Sequence, residues 1–169
     1  ATGSYGPGPR GFRDDLALPR GAQEVSGVDA GIAAVRDQAG HGADWIKLYA
    51  DYRIGADGST QPTFLPEELK AMVDAAHNSG RLVAVHAMTD KAVRMAVDAG
   101  ADTIEHGYEV SEDTFRRMKE KHVAWLPTLT ASEAYGEYFE HYVPGQSPPT
   151  EEMRQVAEAF ARARKVGVT

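Results

Sequence analysis

Short apolar runs alternate with amphipathic segments through the middle of the chain, and this alternation predicts strands separated by helices. The runs that end at Tyr49, His86, His106 and Leu126 are short and apolar enough for buried strands. Between them, apolar residues recur at helical spacing and glycines follow, which is typical of amphipathic helices. The predicted strands are 43–49, 82–86, 103–106 and 123–126, and the predicted helices begin near Val28, Pro66, Asp90 and Glu112.

Polar residues mark the expected helix starts. Ser26, Thr89 or Asp90, and Ser111 are expected as N-caps because a side-chain oxygen there can accept a backbone N–H of the first turn. Pro66 fits a first helical position, where the missing N–H of proline has no partner to lose.

The order of these elements predicts an α/β fold. Strands separated by helices pair in parallel through right-handed crossovers. Four such units in about 100 residues match half of a (β/α)8 barrel, so the expected fold class is a partial TIM barrel. An open four-stranded sheet is the alternative, but both of its edges would be unprotected.

The flanks of this pattern differ in character, and residues 1–169 are interpreted as a single partial domain. Residues 1–27 are rich in Gly and Pro and predict a long loop, and 51–64 predict a polar loop. Residues 28–129 contain the βα units. Residues 130–169 predict a helical segment, with an aromatic-rich helix or loop at 132–142, a proline-rich break at 143–149 and an amphipathic helix at 150–165.

Composition narrows the classes of function. A net charge of −7 argues against nucleic acid as the main partner, which needs a basic face. There is no cysteine, so any metal must be held by His and carboxylates, and no apolar run approaches the roughly 20 residues of a membrane span. The chain opens on Ala1 without a signal-like segment. We expect the natural N-terminus to lie upstream, which leaves the compartment open with the cytoplasm slightly favoured.

Three side chains that can do chemistry come at the ends of predicted strands. His86 and His106 close consecutive apolar runs 20 positions apart, and Lys47 occupies the matching place in the run before them. The carboxyl ends of parallel strands share one edge, so these groups should converge there. A single strand-end histidine is most often structural, but two at equivalent positions favour a metal site. Lys47 fits a surface residue, a Schiff-base nucleophile or a carboxylated lysine.

Four motifs in order resemble the amidohydrolase superfamily. They are G-A-D-W-I-K-L-Y, the run from P-E-E-L-K to L-V-A-V-H-A, A-G-A-D-T-I-E-H-G and W-L-P-T-L, and together they cover Asp29 to Leu129. The branch they resemble is that of imidazolonepropionase-like proteins and Xaa-Pro dipeptidases or carboxypeptidases. This resemblance implies a (β/α)8 barrel with one or two divalent metals, zinc by default. It also implies that Lys47 is the carboxylated bridging lysine of the fourth strand, and that His86 and His106 are the metal ligands of strands five and six.

The sequence departs from the family at both ends. The His-x-His pair of strand one and the Asp of strand eight have no counterpart. We therefore expect a segment of a longer chain that spans about strands four to seven and is catalytically incomplete by itself.

Further residues are expected around the mouth of the barrel. The candidates for substrate binding are Tyr49, Tyr52, Arg53 and Tyr108, with Thr128 and Tyr5 as additional pocket residues. Arg53 could bind a substrate carboxylate through its guanidinium fork. The residues interpreted as structural or surface groups are His41, His77, His122, His141, Trp45 and Glu105, and the aromatic cluster at 135–142 is interpreted as packing or a lid wall.

The resulting hypothesis is a metal-dependent hydrolase that cleaves an amide or peptide-like C–N bond. Its partner would be a small molecule such as a dipeptide, an N-acyl amino acid or a cyclic amide, and a homo-oligomer stays open. Two alternatives stay open as well. One is a Schiff-base lyase or aldolase that uses Lys47, and the other is a barrel fragment without catalytic activity.

Overall fold

A parallel sheet with crossover helices forms the centre of the structure, a computed structural model that describes residues 2–3 and 22–168. The strands are β1 (Thr2–Gly3), β2 (Glu24–Val25), β3 (Trp45–Tyr49), β4 (Asp51–Arg53), β5 (Thr60–Pro62), β6 (Leu82–Ala87), β7 (Thr103–His106) and β8 (Ala124–Leu126). The helices are α1 (Val28–Gly40), α2 (Pro66–Asn78), α3 (Asp90–Ala99), α4 (Glu112–Glu120), α5 (Leu129–Phe139) and α6 (Glu151–Val166). The sheet order is β2-β1-β3-β6-β7-β8, and every pairing in it is parallel. The predicted α/β fold with crossover helices is confirmed.

The core lies between the helices and one face of this sheet. Successive side chains of a strand point to opposite faces, so Ile46 and Leu48 are buried against the helices. The same alternation sends Val83, Val85 and Ile104 into that core. The predicted apolar runs are therefore strands with a fully buried face.

The opposite face of the sheet is largely uncovered by the described residues. Trp45, Leu82 and Leu126 are on this inner face, and each exposes more than two fifths of its surface, at 46%, 46% and 42%. Lys47 and His86 point to the inner face as well, because they alternate with the buried positions of their strands. Lys47, His86 and the exposed apolar side chains thus lie on the same face of the sheet.

Most of the predicted helix boundaries are confirmed. Thr89, Ser111 and Thr150 are N-caps whose side chains accept a backbone N–H, and Pro66 is the first residue of α2. The prediction for Ser26 is wrong, since Gly27 caps α1 with φ +90°. Its backbone N–H donates to Glu68 Oε1 at 2.6 Å, so a carboxylate from α2 takes the place of a side-chain cap.

Two segments predicted as loops contain strands. The predicted 1–27 loop includes β1 and β2, and Thr2 pairs with both Glu24 and Tyr49. The predicted 51–64 loop contains an antiparallel hairpin of β4 and β5 that begins directly after β3. Strands of two or three residues are too short to show an alternating pattern, which explains why the sequence did not predict them. No helix in the described part of the chain is long and apolar enough to cross a bilayer.

Candidate metal centre and active site

The strand register brings the predicted chemical groups to one edge of the sheet. Tyr49 of β3 is level with His86 of β6, and Ala87 of β6 is level with His106 of β7. His106 thus comes one residue after the position that pairs with His86, and the two imidazole rings are neighbours, with centroids 4.8 Å apart. The spacing argument from the sequence thus gave the correct proximity of the two rings.

His86 is held in the neutral form by its surroundings. Its side chain is only 16% exposed, and the Tyr49 ring lies 5.0 Å from it, centroid to centroid. Burial, followed by the positive charges of His106 and Lys47, lowers the pKa of His86 to about 3. A neutral imidazole keeps a lone pair at neutral pH, which is the form that binds metal ions.

His106 lies in a strained turn that other side chains secure. It has φ +71°, in the left-handed region that residues other than glycine rarely adopt, and Gly107 follows with φ +60°. The indole N–H of Trp125 donates to the His106 carbonyl at 2.8 Å, and the ring Nδ1 lies 2.7 Å from Thr128 Oγ1. Burial is the main cause that lowers the pKa of His106. Strain of this kind persists only where neighbouring groups enforce it, as these do.

Lys47 faces the same site from β3, but it is level with Ala84, so the prediction that it occupies the place matching His86 is wrong and Tyr49 occupies that place. The Lys47 ammonium forms an ion pair with the Glu105 carboxylate on β7 and lies 5.6 Å from the centre of the Tyr49 ring. Glu105 is level with His86 in the register, so the pair spans the inner face beneath the histidines. Glu105 was interpreted as structural from the sequence, whereas the structure makes it the counter-charge of Lys47.

Asp51 is a site residue that sequence reasoning missed. Its side chain is fully buried, and its carboxylate accepts hydrogen bonds from the backbone N–H groups of Met88 and Thr89 and from the Thr89 hydroxyl at 2.8–3.0 Å. Its Oδ1 lies 3.5 Å from His86 Nε2. Burial raises the pKa of Asp51, although these donors oppose the change. The available signal was its position as the first polar residue after the run that ends β3.

The predicted substrate-binding residues fall into two groups. Tyr49 contacts His86, whereas Tyr108 is buried behind His106 with its hydroxyl 3.0 Å from Thr128 Oγ1. Tyr52 and Arg53 are exposed on β4, where the hairpin leaves the sheet. Tyr5, which was also predicted to line the pocket, lies outside the described residues.

The other four histidines are away from the site. His77 pairs with Asp102 at 2.8 Å on the helix side of the sheet, and the exposed residues His41, His122 and His141 follow the ends of helices. Within residues 2–3 and 22–168, no three His, Asp or Glu side chains converge closely enough to hold a metal ion. Two neutral imidazoles side by side are nevertheless a nitrogen donor pair of the kind that divalent cations bind.

Comparisons with known proteins give relatives in sequence and in structure. An uncharacterized protein of Mycobacterium tuberculosis is 37% identical over 128 residues, which are 72% of this chain and 35% of that protein. Ochratoxinase of Aspergillus niger is 30% identical over 135 residues, or 79% of this chain and 26% of the enzyme. A solved Xaa-Pro dipeptidase with methionine in its active site matches with a TM-score of 0.73 and 30% identity, covering 86% of this chain and 37% of that one.

These relatives are much longer than this chain of 169 residues. The chain spans about a third or less of the length of the curated relatives it matches. Its structural neighbours are TIM-barrel hydrolases of which it covers a part, which confirms the expected partial barrel. Residues 7–165 match the amidohydrolase family, and the chain belongs to that family.

Proposed function

We propose that this chain supplies ligands to the active site of a metal-dependent hydrolase that cleaves an amide or peptide-like C–N bond. The observation that carries the proposal is the pair of neutral histidine rings at the carboxyl edge of adjacent parallel strands, with Lys47 on the same face two residues before the end of β3. Membership of the amidohydrolase family and the hydrolases among its relatives support a hydrolytic role.

His86, His106 and Lys47 would hold one or two divalent metal ions. Members of this family are generally metal-dependent, and zinc is the usual ion for nitrogen and oxygen ligands of this kind. When bound, such a metal activates water and polarises the scissile carbonyl. The surrounding residues keep both imidazoles unprotonated, because burial lowers the pKa of each ring.

Lys47 would act as a carboxylated lysine. Its neutral amine attacks carbon dioxide, an N–C bond forms, and the nitrogen releases a proton to give a carbamate anion. The ammonium paired with Glu105 would have to give up its proton before this reaction, and divalent cations held by the histidines would favour the neutral amine. The product is an anion beside the Glu105 carboxylate, so it should turn away from Glu105 toward the histidines.

The substrate would be a small molecule with an amide bond, such as a dipeptide, an N-acyl amino acid or a cyclic amide. The names Xaa-Pro dipeptidase and ochratoxinase belong to relatives and support this class only by similarity. Arg53 and Tyr52 are exposed on the hairpin after β3 and would contact the substrate from above the site. The guanidinium of Arg53 would bind a carboxylate of the substrate. Tyr49, next to His86, would contact the scissile group.

Metal content of histidine variants tests the site. In the full-length protein, His86→Ala and His106→Ala should each lower bound zinc and abolish hydrolysis of a dipeptide panel. His77→Ala and His122→Ala are matched controls away from the site, and they should retain the zinc content of the parent. Equal loss of zinc in all four variants would contradict the proposed ligands.

Lys47 has a separate test. Lys47→Ala removes the anion between the cations and leaves a cavity, so zinc affinity and activity should both fall. A short carboxylate such as propionate can enter that cavity and should restore part of the activity at fixed excess zinc, whereas chloride at equal ionic strength should not. Wild-type activity of Lys47→Ala without any additive would refute the bridging role. Trapping of a carbonyl substrate by borohydride would instead indicate a Schiff base.

A further inference from the structure

We propose that Arg162 on α6 is a positioning residue for the candidate site, because its guanidinium holds the segment that continues from the turn at His106. This segment is called the loop after β7 and consists of residues 107–110, between His106 and the N-cap of α4. The benefit of this contact to a bound metal rests on the proposed function, whereas the support of the loop by Arg162 does not.

The Arg162 guanidinium donates to two carbonyl groups of the loop after β7. Its Nε–H donates to the Val110 carbonyl at 3.1 Å, and its Nη2 group donates to the Tyr108 carbonyl at 3.4 Å. Both of these loop residues are buried, where a carbonyl without a donor is costly. The Glu158 carboxylate lies 3.8 Å from the guanidinium and is 73% exposed, so the loop carbonyls are the main partners of Arg162.

The remaining backbone hydrogen bonds of the loop after β7 go to the end of β6. The Gly107 N–H donates to the Ala87 carbonyl at 2.9 Å, and the Glu109 N–H donates to the Met88 carbonyl at 3.2 Å. Alternate residues of the loop therefore bond to different neighbours. Two N–H groups hold the loop to β6, and Arg162 holds the two intervening carbonyls to α6.

Tyr108 connects this contact to the ring of His106. The Tyr108 ring packs edge-on against the His106 imidazole, with centroids 5.9 Å apart and planes inclined by 88°. Its hydroxyl lies 3.0 Å from Thr128 Oγ1, which in turn lies 2.7 Å from His106 Nδ1. His106 and Gly107 both have positive φ, and a strained turn of this kind persists only where its neighbours enforce it. A donor that fixes the Tyr108 backbone therefore supports both the turn and the ring beside His106.

Helix α6 gives this contact a fixed base. Ala159 and Ala163 on α6 belong to the hydrophobic core, and Ala163 directly follows Arg162. Lys119 of α4 donates to the Val166 carbonyl at 2.8 Å, which ties the end of α6 to α4. The planar fork of an arginine can donate to two carbonyls that lie two residues apart, whereas a lysine ammonium is a point donor. The residue type at this position thus matches the task.

Hydrogen exchange in the wild-type, full-length protein tests the contact without any metal. After metal is removed with a chelator, NMR spectra of protein labelled with 15N-arginine in D2O follow the side-chain Nε–H protons. The Nε–H of Arg162 should exchange slowly, because it donates to the carbonyl of a buried residue. The Nε–H of Arg164, exposed two residues later on the same helix, should exchange rapidly. Equally rapid exchange at both positions would overturn the proposal.

A methionine variant tests the support of the turn. Arg162→Met keeps an apolar stem and removes both donors, and Arg164→Met is the matched control. The indole N–H of Trp125 reports on the turn, since it donates to the His106 carbonyl at 2.8 Å. In Arg162→Met its exchange should become about tenfold faster relative to that of the Val85 backbone N–H, which reports on unfolding of the core. An unchanged ratio in Arg162→Met would show that the loop does not depend on Arg162.

The conservative variant Arg162→Lys provides a second arm, which also decides if Arg162→Met does not fold. An ammonium can bond one of the two carbonyls, so the exchange ratio of Arg162→Lys should lie between those of the wild type and Arg162→Met. A ratio equal to that of the wild type in Arg162→Lys would count against the need for the two-donor fork and overturn the assignment.

Zinc titration measures the benefit to the metal. Residues that orient metal ligands typically contribute 10–100-fold to metal affinity, and Arg162 acts through the loop, so Arg162→Met should lose about tenfold. Arg164→Met should bind zinc like the wild type. If the wild type binds zinc and Arg162→Met binds it equally tightly, Arg162 does not position the site. If the wild type binds no zinc, the proposed metal function fails, and the exchange ratios decide whether Arg162 supports the loop.

Discussion

At the scale of single residues, the candidate site residues were predictable from the sequence, but their partners were not. His86 and His106 could be selected from the sequence because each closes an apolar run, and Lys47 because it is the one charged residue within the apolar run 45–49 before them. The ion pair of Lys47 with Glu105 was not predictable, because Glu105 sits between an apolar residue and a ligand candidate in β7. Which residues support a ligand depends on the pairing of strands that are distant in sequence.

The lowered pKa of His86 makes metal-free stability depend on pH. The folded pKa is about 3 and the ordinary value is 6.5, so between these values the unfolded chain binds more protons than the folded one. The free energy of unfolding should therefore be highest above pH 6.5 and fall as the pH drops toward 3, with His86 accounting for up to a few kcal/mol. Urea titrations of chelator-treated protein at several pH values measure this effect.

A matched variant isolates the contribution of His86. His86→Asn cannot titrate, so its stability should change less steeply between pH 6.5 and 3 than that of the wild type. The exposed His141→Asn serves as the control and should keep the wild-type slope. Identical pH profiles for His86→Asn and the wild type would contradict the assignment of a buried neutral ring.

At the scale of elements, the predictable parts were those with a long periodic signal. Five of the six helices have apolar faces, caps or glycine stops that show in the sequence, whereas 132–142 was left open as a helix or loop and is helical in α5. The order of strands β3, β6, β7 and β8 followed from the crossover rule. The hairpin β4–β5 and the two-residue strands β1 and β2 were not predicted from the sequence. Their pairing depends on neighbours supplied by the fold, and short segments carry too few residues for a pattern.

The turn that ends β7 depends on a side chain from β8. Trp125 donates its indole N–H to the His106 carbonyl, and a Cβ added at Gly107 would lie 3.0 Å from that indole nitrogen. Trp125→Phe keeps an aromatic ring against Phe115 but leaves the carbonyl without its donor. We expect a loss of about 1–3 kcal/mol in the free energy of unfolding.

Chemical denaturation of Trp125→Phe measures its effect on stability, and zinc titration of the same variant measures its effect on the turn at His106. Tyr138→Phe is the control because Tyr138 is 80% exposed on α5, and its replacement should change stability by about 0.5 kcal/mol or less. Zinc affinity should fall in Trp125→Phe, since the left-handed turn at His106 loses a constraint. An unchanged affinity and stability would mean that the turn is secured by other contacts.

At the scale of the whole molecule, the uncovered inner face is the dominant feature. Parallel sheets occur almost only with both faces covered, and here helices cover one. Trp45, Leu82 and Leu126 are apolar and exposed on the other face, next to Lys47 and His86. In a closed barrel the inner face becomes the packed interior, with the active site at its carboxyl end. The fold class was predictable from the sequence, whereas the exposure of this face was not, because it depends on which residues pack against the sheet.

Closure of the barrel can be measured by thiol labelling, because the 169 residues contain no cysteine. We predict that Leu82→Cys in the full-length protein reacts slowly with a thiol reagent, although Leu82 is 46% exposed in this structure. Burying such a leucine contributes roughly 1.5–3 kcal/mol, which favours a covered face over an open one. Mass spectrometry of the labelled peptide measures the labelling rate at this position, which is then compared with the rates at two other cysteine positions.

Two further cysteines calibrate the labelling rates. Tyr138→Cys lies on α5 at a position that is 80% exposed and away from the sheet face, so it should react rapidly. Val85→Cys lies in the helix-side core with no exposed surface and should react only on unfolding. Slow labelling of Leu82→Cys beside fast labelling of Tyr138→Cys indicates a covered inner face. Equal, fast labelling of both in folded protein would mean that the sheet stays open, and then His86 and Lys47 would face bulk water rather than an enclosed active site.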